Sequence, residues 1–362
     1  MINKRTVYFG AGPATLPQSV LEETANAVLN YDNSGISLLS IAHRDKAFVA
    51  ILDEAKTLVL QLANLSGDDY EVLWLQGGGR QQFAMVPMNF LAEEEQAGYV
   101  DSGHWAHEAM EAAAYYGKIV SLASSAADNY THLPLWPKDV PRSLKYLHFT
   151  TNNTIYGTQW PDIPECPVPL IADMSSDIFS GRRDYSRCSL FYAVAQKNLG
   201  PAGVTLVVVR KNMLKSTARR LPDAFSYAAQ AKAGSMLNTP PVAAIYTCLL
   251  MLRWIAERGM DRIEADNRMK AETLYAEVER NSLFKLPVER ASRSGMNVVF
   301  TMENAAQEQA FLEYCAGRNI AGIKGHRSVG GFRASLYNAI SVEDVAALVA
   351  AMQDFEQEHP LA

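Results

Sequence analysis

The sequence lacks the features of several large classes of protein. Its 33 basic residues are outnumbered by 39 acidic ones, for a formal charge of −6, so it has no basic excess of the kind that general nucleic-acid binders use. Its four cysteines, Cys166, Cys188, Cys248 and Cys315, form no C-x-x-C pair, which indicates neither a zinc site nor a disulfide scaffold. Residues 1–9 hold no long apolar run, so no signal peptide is predicted. We therefore expect a cytoplasmic protein without a metal ion or a nucleic-acid partner.

One uncharged stretch, residues 233–252, has the nominal length of a membrane-spanning helix. Its first half contains Gly234, Ser235, Asn238 and the Pro240-Pro241 pair, which are residues typical of loops and turns. The sequence therefore predicts a loop followed by a buried helix, and no association with a membrane.

The pattern of apolar residues predicts an α/β fold. Runs such as 190–195 and 204–209 have little polar alternation, as in strands that are buried on both faces of a largely parallel sheet. Helical periodicity predicts helices between and after these runs, at 17–31, 46–65, 242–258, 261–281, 305–317 and 342–359. We predict a large domain over residues 1–258 and a smaller α+β domain over 259–362, with the N-terminal segment able to pack on the smaller domain.

Two glycine-rich turns are candidates for binding a phosphate. The first, Gly10-Ala11-Gly12, begins like a dinucleotide fingerprint, but Thr15 stands where a small residue is needed and Pro13 interrupts the helix start, so NAD binding is disfavoured. The second, 77–80, lies between a predicted strand and a predicted helix. There the backbone N–H groups could hold a phosphate and Arg80 could add charge. A simple tight turn is the alternative interpretation.

Two charged residues follow predicted buried strands, where open α/β sheets bind their ligands. Asp173 and Lys197 are 24 positions apart. A buried lysine can hold an aldehyde as a Schiff base, and an aspartate can keep a pyridine nitrogen protonated. Pyridoxal 5′-phosphate (PLP) needs both groups and a phosphate cradle. Trp105 could stack on such a ring. A loop charge or helix cap for the two charged residues, and a core position for Trp105, are the alternatives.

Further segments complete a recognisable pattern: His43-Arg44, 77–80, 195–198, 238–241, 293–297 and 324–335. With these motifs the chain resembles the phosphoserine aminotransferases, a group within the class-V PLP-dependent aminotransferases of fold type I, from about residue 9 to residue 338. Gln81 and Asn153 depart from the usual residues of that family at the edge of the site. Neither departure affects Lys197 or Asp173.

The resemblance implies the roles of individual residues. Lys197 would hold the cofactor and move the substrate proton, and Asp173 would pair with the pyridine nitrogen. Asn238 and Thr239 would come from a neighbouring subunit, which implies a homodimer with shared sites. The implied cofactor-binding residues are Gly79, Arg80, Trp105, Thr154, Asp173, Gln196, Lys197, Asn238 and Thr239. The implied substrate-binding residues are Ala11, His43, Arg44, Arg80, His326, Arg327 and Arg333.

The implied reaction transfers the amino group between L-glutamate and 3-phosphohydroxypyruvate in serine biosynthesis. A phosphorylated four-carbon oxo acid of vitamin B6 synthesis is a second substrate that the sequence leaves open. An alanine–glyoxylate type of transaminase is disfavoured by the number of cations among the substrate residues. A cysteine desulfurase is disfavoured because Cys315 lies in a predicted helix. A catalytically silent module and an NAD-linked dehydrogenase are the alternatives from other classes.

Overall fold

The computed structural model describes residues 5–215 and 218–360. The helices are α1 (Gln18–Leu29), α2 (Lys46–Ala63), α3 (Gly79–Phe90), α4 (His104–Ala113), α5 (Tyr227–Lys232), α6 (Val242–Arg258), α7 (Met260–Arg280), α8 (Ala305–Gly317) and α9 (Val342–Glu358). The longer strands are β2 (Tyr70–Gln76), β3 (Gln96–Asp101), β4 (Lys118–Ser124), β5 (Leu147–Thr150), β8 (Leu170–Asp173), β9 (Leu190–Val194), β10 (Val204–Arg210), β11 (Asn297–Phe300) and β13 (Phe332–Ser335). Two-residue strands are β1 (Val7–Tyr8), β6 (Asn152–Asn153), β7 (Thr158–Gln159) and β12 (Ile320–Ala321).

A seven-stranded sheet in the order β2-β10-β9-β8-β5-β3-β4 forms the centre of the larger part of the molecule. β3, β4, β5, β8 and β9 pair in parallel, whereas β10 runs antiparallel to both of its neighbours. Every residue of β8 and β9 is buried, which explains why these strands read as continuous apolar runs. The predicted α/β fold with a largely parallel sheet is confirmed.

Helices cover both faces of this sheet. On one face, α2 and α6 pack over alternate strand residues such as Trp74 and Phe149. On the other face, α3 and α4 pack over Leu73, Tyr99 and Tyr192. Because successive side chains of a strand point to opposite faces, each apolar strand contributes to both layers. Helices therefore enclose the central strands of the sheet, whereas no residue of the edge strand β4 is buried.

The turn between β2 and α3 depends on Gly77, whose φ of +106° is rarely adopted by other residues. The side chain of Gln81 also occupies the space that a Cβ atom at position 77 would need. This turn places the first residues of α3 at the carboxyl edge of the sheet, beside the ends of β8 and β9.

A second hydrophobic core lies in the C-terminal part of the chain. It contains Leu274 of α7, Val298 of β11, Phe311 of α8 and Leu348 of α9, and also Phe9 from the N-terminus. β1 pairs in parallel with β12, so the N-terminal segment packs on this second core. The division at residue 258/259 stays a prediction, although α6 ends at Arg258 and α7 begins at Met260.

The bounds of most elements agree with the sequence prediction, and α6 and α8 agree at both ends. The sequence prediction missed β4 and β13. β4 pairs only with β3, as the edge strand of its sheet, and β13 is a strand because it pairs with β11. Among the described residues, no helix combines the length and the apolar character needed to cross a bilayer.

Candidate active site

Lys197 and Asp173 line the same cavity, as expected for residues that follow two neighbouring parallel strands. Asp173 is the last residue of β8, and Lys197 lies three residues beyond the end of β9. The cavity has a volume of about 280 Å³. Its other lining residues are Gly78, Gly79, Arg80, Gln81, Phe83, Trp105, Ser175, Val194 and Gln196.

The Asp173 carboxylate is buried and held by its own loop. The Oδ1 atom of the Asp173 side chain accepts a hydrogen bond of 2.9 Å from the backbone N–H of Ser175. The backbone carbonyl of Asp173 accepts a hydrogen bond of 3.1 Å from the Thr151 hydroxyl. Burial raises the pKa of Asp173, and the nearby charge of Lys197 opposes that rise. A cationic group placed against this carboxylate would therefore be strongly attracted to it.

Lys197 experiences the opposite effect of the same environment. Burial lowers the pKa of its ammonium group, Asp173 opposes this effect, and the charge of Arg333 lowers the pKa further. A lowered pKa makes the neutral amine more accessible, and the neutral amine is the form that attacks carbonyl groups and accepts protons.

The backbone on each side of Lys197 is anchored. The carbonyl of Gln196 accepts a hydrogen bond of 2.8 Å from the N–H of Ala14. On the other side, the Asn198 side chain donates to the carbonyl of Ile178 at 3.2 Å and accepts from the N–H of Asn338 at 3.0 Å. The N-terminal segment and the C-terminal core thus both contact the loop that carries Lys197.

The N-terminus of α3 forms one end of the cavity. Gly78 precedes the helix, and no side chain caps it. The N–H groups of Gln81 and Gln82 bond to the Gly78 carbonyl, so the N–H groups of Gly79 and Arg80 are the ones available to an anion. Arg80 extends from this turn but forms a two-point ion pair with Glu108, with both N–O distances 2.9 Å. Its guanidinium lies 5.2 Å from the centre of the Trp105 ring. Arg80 therefore lines the cavity as expected, already engaged by a carboxylate.

Trp105 lies in the first turn of α4 and its ring is fixed by Thr154. The indole N–H donates to the Thr154 hydroxyl at 3.0 Å. The turn before α4 needs Gly103, since a Cβ atom there would lie 2.5 Å from Oδ1 of Asn153. At the departure Asn153, the amide N–H groups donate to the hydroxyls of Ser102 at 3.3 Å and Thr158 at 2.9 Å, whereas the buried Oδ1 atom has no hydrogen-bond partner among the described residues.

Arg333 reaches the site from the C-terminal core. Its guanidinium donates to the carbonyl of Thr154 at 2.9 Å, and burial lowers its pKa. The ring of His326 lies 6.2 Å from that of His104, and burial together with the charge of Arg333 lowers the pKa of His326. These contacts bring Arg333 and His326 to the side of the cavity that holds Trp105 and Thr154.

Of the other predicted substrate-binding residues, Ala11 makes its described contact through a backbone atom, and the rest make no described contact with the cavity. The carbonyl of Ala11 accepts a hydrogen bond of 2.8 Å from the hydroxyl of Tyr337. Arg327 is exposed, as is Arg44, which follows His43 in the turn before α2. Within the described ranges, no hydrogen bond or ion pair joins His43, Arg44 or Arg327 to a residue of the cavity. Whether these three bind substrate stays a prediction.

Asn238 and Thr239 lie near Gln76, at the end of β2. Asn238 lines a separate cavity of about 250 Å³ together with Gln76 and Gln81, and the Thr239 carbonyl accepts a hydrogen bond from the Gln76 amide. Asn238 does not line the cavity of its own Lys197. Its predicted contact with a cofactor across a subunit interface stays a prediction.

Sequence reasoning did not single out two polar residues near the site. Ser175 lines the cavity, and its hydroxyl accepts a hydrogen bond of 3.2 Å from the N–H of Val194, which ties the loop after β8 to β9. His104 forms a contact of 3.0 Å with Glu108. The only indication of these two residues in the sequence is their position: Ser175 lies two residues after Asp173, and His104 directly precedes Trp105.

The residues of the cavity fit the predicted cofactor. An amine able to hold an aldehyde, a buried carboxylate, an indole ring and an uncapped helix N-terminus surround one space of about 280 Å³. A phosphorylated pyridine ring needs these four partners.

Comparison with known proteins agrees with this arrangement. The chain is 47% identical over 356 residues to the phosphoserine aminotransferase of Bacteroides thetaiotaomicron, covering 97% of this chain and 99% of that protein. A solved phosphoserine aminotransferase from Bacillus circulans subsp. alkalophilus is 40% identical, with a TM-score of 0.95 over 98% of this chain and 99% of that one. A PLP-bound phosphoserine aminotransferase from Trichomonas vaginalis is 32% identical, with a TM-score of 0.92 over 96% of this chain and 100% of that one.

The family model of class-V aminotransferases matches residues 6–348. This match covers nearly the whole chain and includes every residue of the cavity. The predicted enzyme class is confirmed: the chain belongs to the class-V aminotransferase family.

Proposed function

We propose that this protein is a cytoplasmic phosphoserine aminotransferase of serine biosynthesis, which transfers the amino group between L-glutamate and 3-phosphohydroxypyruvate and gives O-phospho-L-serine and 2-oxoglutarate. The observation that carries the proposal is the single cavity shared by Lys197, Asp173 and the N-terminus of α3. A phosphorylated four-carbon oxo acid carries the same keto-acid and phosphate groups and is a second candidate substrate.

PLP is the cofactor, and when bound it carries the amino group between the two substrates and spreads the negative charge that forms at the substrate Cα. The side chains of this protein do the rest. Lys197, whose pKa is lowered by burial, supplies a neutral amine that takes the proton from Cα and returns it on the other side of the transfer. The Asp173 carboxylate keeps a proton on the pyridine nitrogen.

The remaining cavity residues bind and orient. The N–H groups of the first turn of α3 hold the cofactor phosphate, and Gly79, Arg80 and Gln196 surround it. Trp105 stacks on the pyridine ring, held in place by its hydrogen bond of 3.0 Å to Thr154.

Different basic side chains bind the two ends of the substrate. Arg333 can pair with the α-carboxylate through two parallel hydrogen bonds, because its contact of 2.9 Å with the Thr154 carbonyl fixes its direction. Ala11 lies beside this end of the substrate. His43, Arg44 and Arg327 bind the distal group, and His326 adds an N–H donor.

We further propose that the protein is a homodimer with shared sites. Asn238 lines a neighbouring cavity and not the Lys197 cavity of its own chain, which supports a phosphate cradle that Asn238 and Thr239 complete in another subunit. The same reasoning applies to His43 and Arg44, whose turn makes no described contact with the cavity.

The first prediction tests the function itself. The purified protein should be yellow, should bleach when glutamate is added, and should form phosphoserine from glutamate and 3-phosphohydroxypyruvate. Lys197→Ala should lose multiple turnover while keeping the native circular-dichroism spectrum, because the loss is confined to one amine. Lys118→Ala, which changes an exposed lysine, is the control and should keep full activity. Appreciable turnover by Lys197→Ala, or a yellow wild type that never bleaches, would contradict the proposal.

The second prediction concerns the charge opposite the pyridine nitrogen. Asp173→Asn keeps the shape of the side chain but removes the charge that holds the ring proton. We expect the rate to fall by about a hundredfold or more, where each tenfold corresponds to about 1.4 kcal/mol of barrier. Steady-state kinetics with Asp139→Asn, a change of an exposed aspartate, provide the control. A rate close to wild type would mean that another group protonates the ring.

The third prediction concerns the shared cradle. Subunits carrying Lys197→Ala are mixed with subunits carrying Asn238→Ala and Thr239→Ala together. If the cradle spans two subunits, one site of each mixed dimer receives both lesions and the other is intact, so mixing should restore activity. Activity of the mixture no higher than that of either parent would place the cradle within one chain.

The fourth prediction separates the two ends of the substrate. Arg333→Lys should slow the half-reactions of glutamate and phosphoserine by similar factors, because both amino acids share the α-carboxylate. Arg44→Leu or Arg327→Leu should slow phosphoserine more than glutamate, since the phosphate carries nearly one more negative charge. Single-turnover rates from cofactor absorbance measure both. If Arg333→Lys spared glutamate but not phosphoserine, the two ends would be assigned the wrong way round.

A further inference from the structure

A buried lysine outside the cavity contacts a segment that leads back to it. Lys270 lies in the middle of α7 and is 1% exposed. Its ammonium group donates to the backbone carbonyls of Leu336, Tyr337 and Ile340, each at 2.9 Å. None of the described ion pairs includes Lys270. The three N–H donors of the ammonium group thus meet three carbonyl acceptors, and these carbonyls all belong to the short segment between β13 and α9.

This segment, residues 336–340, is connected to the loop of Lys197 and to the N-terminus. The hydroxyl of Tyr337 donates to the carbonyl of Ala11 at 2.8 Å. The N–H of Asn338 donates at 3.0 Å to the side chain of Asn198, the residue that follows Lys197. β13, which carries Arg333, ends at Ser335, directly before the segment.

A second residue of α7 reinforces this contact. The Asn267 amide donates to the Asn338 side chain and to the carbonyl of Ser180, both at 2.8 Å. Asn338 in turn donates to the carbonyl of Phe179 at 2.9 Å. One face of α7 therefore holds the segment against the loop that follows Asp173.

We propose that Lys270 is a positioning residue for the aminotransferase reaction. By fixing three carbonyls of segment 336–340, it sets where Tyr337 meets Ala11 and where Asn338 meets Asn198, and so fixes Lys197 relative to Arg333. The inference rests on the roles proposed above for Lys197 and Arg333.

The chemistry of the contact favours a positioning role over a purely structural one. Burying a charge is costly, but an apolar side chain at this position would remove the donor that the three carbonyls share. Burial lowers the pKa of Lys270 to about 7, which Asp266 and Asp344 oppose and Arg258 reinforces. Arg258 and Arg262 pair with Asp266, and Arg5 pairs with Asp344. Only the protonated amine offers three N–H donors to the three carbonyls.

The test replaces Lys270 with methionine in the holoenzyme, which keeps the side-chain length and removes every donor. We expect the single-turnover rates with glutamate and with phosphoserine each to fall about tenfold or more, as small displacements of reacting groups do. In the absence of any amino acid, we expect the pH midpoint of the cofactor's visible band, which reports the proton at the Lys197 nitrogen, to shift by about half a unit or more.

Two matched controls lie on the same helix. Arg268→Met removes an exposed positive charge and should change neither quantity. Leu274→Val loosens the hydrophobic core that α7 shares with Leu336 and Ile340 but removes none of the hydrogen bonds of Lys270, so it should lower the melting temperature but leave the rates and the midpoint unchanged. If Lys270→Met behaves like Leu274→Val, the role of Lys270 is only structural and the proposal is wrong.

A milder variant covers the case in which Lys270→Met does not fold. Tyr337→Phe keeps the ring and removes the hydroxyl, which donates to the carbonyl of Ala11 at 2.8 Å and accepts from the Asn297 amide at 3.4 Å. It should shift the midpoint in the amino-acid-free holoenzyme. An unchanged midpoint would overturn the proposal. The midpoint needs no substrate, so it tests the positioning role even if glutamate and phosphoserine prove not to be the substrates.

Discussion

The proximity of the half-buried Lys197 and the buried Asp173 in one cavity is the constraint on which the site depends. Burial lowers the pKa of the amine and raises that of the carboxylate, while the attraction between the two groups opposes both shifts. These shifted pKa values persist only while neither side chain moves toward water. The backbone bonds on both sides of Lys197 and the loop bond of Asp173 keep the groups in place. The rigidity of this edge of the sheet is therefore an electrostatic requirement as well as a matter of packing.

The second requirement is that two hydrophobic cores meet at this edge. The large sheet supplies Asp173 and Lys197, whereas Arg333 extends from β13 in the C-terminal core and bonds to the carbonyl of Thr154. Phe9 belongs to that second core, and a few residues later Ala14 bonds to the carbonyl of Gln196. The chain thus crosses between the cores at its N-terminus and at the segment after β13. A substrate held by Arg333 over Lys197 would lie across that junction.

The sequence predicted what local patterns determine and missed what distant pairing creates. The apolar runs of β8 and β9 indicate buried parallel strands, and because such strands end at one edge of the sheet, the sequence predicts Asp173 and Lys197 at that edge. Helices α6 and α8 were also predicted at their observed bounds. β13 is a strand only through its pairing with β11, so a window of sequence could not reveal it. Nothing local marks the Arg80–Glu108 ion pair or the segment held by Lys270 either.

The ion pair of Arg80 bears on how the site receives anions. Arg80 was predicted to add positive charge to the phosphate cradle, and its Nε and Nη2 atoms donate to Glu108, whose carboxylate His104 also contacts. An anion at the N-terminus of α3 would compete with Glu108 for the guanidinium. The N–H groups of Gly79 and Arg80 have no side-chain cap, so they could attract an anion without that competition. We therefore expect the helix N-terminus to contribute most of the attraction for an anion. Arg80, 5.2 Å from the centre of the Trp105 ring, would add to it with the donors that Glu108 leaves unused.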